Sequence, residues 1–75
     1  MTPASIDSAI DQIRACLAAR PGSADTLEGI AQWWLDGQFP LDVAAAALAR
    51  LRVAGELECI EAGTRQLWRR QRMRG

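Results

Sequence analysis

Up to Gly55 the large apolar residues recur every three or four positions, and beyond it the spacing shortens toward the two-residue alternation of strands. A chain that changes period in this way packs helices first and then covers them with a β-hairpin. The covering is obligatory, because a two-stranded hairpin cannot bury a face by itself and the open side of the packed helices is the only apolar surface available to it. Only one such assembly fits in 75 residues. Alanine supplies 14 of the 37 hydrophobic residues, so the core must be thin. The expected boundaries are one domain over residues 1–70 and a flexible basic tail over 71–75.

The first helix is read from Ile6, Ile10, Ile13 and Leu17, whose 4-3-4 spacing lays four side chains along one stripe. Thr2 and Pro3 suit the cap and first turn, and Arg20-Pro21-Gly22 stops the helix. A second helix is expected over 26–35, with Asp25 as N-cap and Glu28 at the third position. Leu27, Ile30, Ala31 and Trp34 share one face of it. At about 100° per residue Trp33 falls roughly 110° from the centre of that face, which puts it near the rim. Phe39 follows a short turn and drops back as a plug between helices.

The third helix, expected over 41–54, turns Leu41, Ala44, Ala47, Leu48 and Leu51 inward and ends at Gly55, the residue type best suited to a left-handed C-terminal cap. Asp42, Ala46, Ala49 and Val53 form its outward stripe. Next come a strand carrying Leu57, Cys59 and Ile60, a turn at Ala62-Gly63-Thr64, and a return strand with Gln66, Leu67 and Trp68. A two-residue turn at Gly63-Thr64 pairs Ile60 with Leu67 and Glu58 with Arg69; a three-residue loop pairs Glu61 with Arg65. The first register is preferred.

The formal charge is zero, yet residues 1–64 hold four arginines against all nine acids, while residues 65–75 hold five arginines and no acid. The result is an acidic body and a basic end, and a basic end can meet phosphate, an acidic protein or its own acidic body. Histidine and tyrosine are absent. That removes most general bases, nucleophiles and metal ligands, so neither an enzyme, a cofactor nor a small-molecule substrate is expected. Cys16 and Cys59 lie 43 positions apart without a CxxC or a signal sequence, and are expected to be buried thiols in a cytoplasmic protein. No apolar run approaches a membrane span.

Three helices and a hairpin, with the third helix and hairpin reading VAAAALARLRVAGELE and EAGTRQLWRR, resemble the winged-helix variant of the helix-turn-helix superfamily. The resemblance rests most on Val43, Ala47-Leu48, Leu51, Gly55 and Leu57. It implies an α+β, mainly α fold with a C-terminal two-stranded wing, and it makes the outward face of the third helix the surface to weigh. Asp42, Ala46, Ala49 and Val53 cannot donate bidentate hydrogen bonds to base edges, and Asp42 repels phosphate. A small-residue stripe, together with a tryptophan near the rim of the second helix, suits a protein partner or self-association. The leading expectation is therefore an interaction module or adaptor using Trp33, Asp42, Ala46, Ala49 and Val53. The alternative is a DNA-binding regulator that grips phosphate with Arg50, Arg52, Arg65, Arg69, Arg70, Arg72 and Arg74.

Overall fold

A computed structural model describes residues 5–71. The elements run α1 (Ile6–Ala19), β1 (Ala24–Asp25), α2 (Leu27–Gly29) continuing into a π-helical turn (Ile30–Trp34), α3 (Leu41–Val53), β2 (Leu57–Ala62) and β3 (Arg65–Arg70). The fold is α+β and mainly helical, with three helices against an antiparallel sheet. That sheet has three strands rather than the expected two, in the order β1-β3-β2. The extra strand is two residues long and pairs Ala24 with Arg69 and Asp25 with Trp68; a segment so short carries no periodicity from which it could be read.

Ser5 caps α1, its hydroxyl accepting from the Ser8 amide at 3.1 Å. This replaces the cap expected at Thr2, which with Pro3 lies outside the described residues. Ile10, Ile13 and Leu17 are buried, joined by Ala9, while Ile6 packs at the margin. The second helix is capped by Thr26 and not by Asp25: the Thr26 hydroxyl accepts from Gly29, and Asp25 Oδ1 instead accepts from the Thr26 amide at 2.8 Å. Thr26 wins because Asp25 is already committed to the sheet.

That arrangement brings Asp25 over Gly29, where a Cβ would lie only 2.1 Å from Asp25 Oδ1. In a helix interior glycine to alanine normally stabilises by about 1 kcal/mol. Gly29→Ala is expected to lose that gain by displacing the Asp25 carboxylate from the Thr26 amide, and to recover it in an Asp25→Ala background. Urea denaturation of the four-member cycle checks this, and additive effects would rule out the contact.

The π turn decides which side chain of the second helix reaches the core. On an unbroken α-helix Leu35 would lie roughly 90° from the centre of the Leu27, Ile30, Ala31 and Trp34 face. The Leu35 amide instead donates to the Ile30 carbonyl, five residues back, at 2.9 Å. Widening the turn lowers the rotation per residue. Leu35 thereby becomes fully buried and Trp34 is left half-buried at the core margin. Asp36 and Gly37, both at positive φ, then reverse the chain, and Phe39 packs against the core as expected.

In α3, Ala44, Ala47, Leu48 and Leu51 are buried. Leu41 is not: it is 50% exposed. It stands roughly 70° from the centre of the buried stripe, far enough to miss the core on the helix's first turn. Gly55, at φ 80°, ends the segment, with the Glu56 amide donating to the Leu51 carbonyl. The hairpin adopts the two-residue register, pairing Ile60 with Leu67 and Glu58 with Arg69. Its turn puts Gly63 at positive φ, the conformation that matches strand twist. Side chains alternate across the sheet, so Leu57 and Trp68 join the core while Ile60 and Leu67 do not. Cys16 and Cys59 are free and half-buried rather than fully buried. No described helix is long and apolar enough to cross a membrane.

Candidate functional site

Trp33, Leu41 and Val53 are the exposed large hydrophobics among the described residues, at 71, 50 and 89%. Two of them meet. Trp33, from the last π-helical positions, and Leu41, from the first turn of α3, line one open groove of about 670 Å³ together with Phe39 and Ala31. The turn at Asp36 and Gly37 is what brings them together, because it folds the start of α3 back beside the end of the second helix. Glu28, Gln32 and Asp36 supply the polar part of the same wall. Trp33 also lines a second groove with Cys16, Arg20 and Trp34, and so stands as a ridge between the two.

The outward stripe of α3 extends away from this groove. Asp42 follows Leu41 directly and is exposed, its Oδ1 accepting from the Val43 amide at 2.9 Å. Ala46 is half-buried, and Ala49 and Val53 are exposed. Val53 stands twelve residues along the helix from Leu41, about 18 Å at 1.5 Å per residue. Trp33 is thus gathered with Leu41 at the N-terminal end of α3 and not with Val53 at the other. Leu41 was missed as a site residue because the periodicity places it on the flank of the inward stripe, and only the packing decides which way a flank residue turns.

The arginines expected for phosphate contact are dispersed. Arg50 pairs with Asp7 of α1 at 3.6 Å, and Arg69 pairs with Glu58 across the hairpin. Both cations are thereby partly neutralised. Arg52, Arg65 and Arg70 are exposed and have no carboxylate in ion-pair range among the described residues. Arg69 and Arg70, being adjacent in a strand, point to opposite faces of the sheet. Arg72 and Arg74 lie outside the described residues. No group of three or more cysteine or acidic side chains among the described residues could hold a metal ion.

The best-formed ion pair joins α1 to the segment leading into β2. The Arg14 guanidinium donates from Nε to Glu56 Oε1 at 2.8 Å and from Nη2 to Oε2 at 2.5 Å. These hydrogen bonds hold the Glu56 carboxyl below its ordinary range, against the smaller opposing effect of desolvation. A carboxyl depressed in the folded state contributes stability that is present above its unfolded value, about 4.3, and lost as pH falls through the folded value. The stability difference between the native chain and Glu56→Gln is expected to shrink as pH drops below about 4. Urea midpoints across that range test it, and a constant difference would show that the pair does not couple to folding. The chain matches no family model, and neither a curated protein nor a solved structure matches it at a significant level.

Proposed function

We propose that this chain is a small, non-catalytic winged-helix protein-interaction module that acts in the cytoplasm. Its partner, another protein or a second copy, covers the Trp33 groove and continues onto Asp42, Ala46, Ala49 and Val53 of α3. The observation that carries the reading is the meeting of a 71% exposed tryptophan and a 50% exposed leucine in one concave surface. Tryptophan is the residue type most often found to anchor interfaces, and a concave apolar floor is where such anchors are covered. The winged-helix part of the reading is supported by the element order and by a hairpin whose strands pack on α3 and on the second helix. Two unpaired thiols suit a reducing compartment.

Phosphate gripping is the less favoured reading because it asks for a continuous cationic surface. Two of its arginines are engaged by Asp7 and Glu58, and an exposed aspartate opens α3. Capture from native lysate with the full chain, with Trp33→Ala and with Ala49→Glu separates the two. The co-purifying protein is expected to be lost with Trp33→Ala and weakened with Ala49→Glu, while circular dichroism stays native. Retention by both variants would remove this surface, and binding to duplex DNA that falls steeply with salt would favour the alternative.

A further inference from the structure

The Trp33 groove differs from its neighbours in charge. Three other grooves on the described surface mix both signs in the wall: Arg14 and Arg70 with Glu56 in one, Arg65 with Glu28 and Glu61 in another, Arg20 with Asp25 in a third. The Trp33 groove has no arginine, and its charged groups are Glu28 and Asp36. Asp42 stands immediately beyond Leu41. Two carboxylates over a floor of Trp33, Phe39 and Leu41 complement a side chain or segment that is cationic at its tip and apolar along its length. Arginine and lysine have that form, and the face of an exposed indole attracts their charged heads.

We infer that the groove docks a cationic segment of a partner protein, an arginine- or lysine-bearing stretch with an apolar anchor. This inference rests on the interaction-module reading and narrows it. The apolar anchor fills the space between Trp33 and Leu41, and the cation lies toward Glu28 and Asp36, with the indole edge excluding water from both. Charge sets partner choice and encounter rate, while burial of Trp33 sets most of the affinity.

The test uses the full chain and a labelled synthetic peptide of alternating arginine and leucine, with glutamine-for-arginine and glutamate-for-arginine versions, read by fluorescence anisotropy. The arginine peptide is expected to bind and the glutamate peptide not to. Trp33→Ala should weaken the arginine peptide roughly thirtyfold. Glu28→Gln with Asp36→Asn should weaken it about tenfold, a change of about 1.4 kcal/mol, and flatten its salt dependence. Both substitutions are nearly isosteric, and asparagine tolerates the positive φ of position 36, so the fold is retained. Glutamine-peptide binding as tight as that of the arginine peptide would overturn the cationic specificity and leave the interaction reading standing. Failure of all three peptides to bind would overturn the inference, while the interaction reading would then stand or fall on capture of a partner by the native chain and its loss with Trp33→Ala. Concentration-dependent dimerisation in light scattering that is lost in Trp33→Ala would make the occupant a second copy and overturn the inference.

Discussion

Leu48→Ala is expected to cost about 3–4 kcal/mol, the range for removing a fully enclosed leucine whose surroundings cannot collapse. Leu48 has no exposed surface and is, among the described residues, one of six large side chains that are almost completely enclosed, with Ile13, Ile30, Leu35, Leu51 and Leu57. A chain of this size has a total stability of roughly 4–11 kcal/mol. The substitution therefore takes a large part of the whole, and melting should fall by roughly 15–25 °C. Val53→Ala on the same helix removes a side chain that is 89% exposed, and should change stability by no more than about 0.5 kcal/mol. Chemical denaturation followed by circular dichroism measures both. A loss below about 1 kcal/mol at Leu48 would mean that α3 is not held by this stripe.

The contrast between Leu48 and Val53 shows which parts of the fold were legible. Helical periodicity places a residue correctly when it lies at the centre of a stripe or opposite it, as Leu48 and Val53 do. It is silent about flanks. Leu41 and Leu35 both stand roughly 70–90° from the centre of their stripes, and they went opposite ways. Leu41 was left half exposed in the groove. Leu35 was drawn in by a π turn, in which its amide donates to the Ile30 carbonyl five residues back. Strand β1 was illegible for a related reason: Ala24 and Asp25 become a strand only because β3 offers a free edge beside them.

The hairpin register was legible because Gly63 suits a two-residue turn whose first position takes positive φ. The Glu58–Arg69 pair then followed from counting. For the candidate site, the outward angle of Trp33 could be read from its own helix. Its neighbours could not, since Phe39 and Leu41 reach it only through the reversal at Asp36 and Gly37. A site assembled across a turn needs the turn's geometry, and composition supplies none of it. No arginine lines the Trp33 groove, which no count of charges along the chain would show.

Ala47→Leu is the second substitution with a large expected effect, and Ala49→Leu is its control. The run Ala44-Ala45-Ala46-Ala47 and Ala49 reads as one composition, yet Ala44 and Ala47 are completely enclosed and Ala49 is exposed. Ala9 of α1 is also without exposed surface, and α1 and α3 form the most extensive helix pair of the fold. Small residues enclosed on both helices allow the backbones to approach closely, so three added carbons at position 47 have no space to enter. Overpacking of this kind costs about 1–3 kcal/mol and more where the backbone must shift. We expect the upper end here, because moving α1 away from α3 also strains the Arg14–Glu56 bridge and the contact of Leu57 with the helices. At position 49 the same side chain extends into solvent and should be tolerated within about 0.5 kcal/mol. Denaturation of the two variants decides it: equal costs would mean that the alanines of α3 are interchangeable and that close helix approach plays no part in holding the fold together.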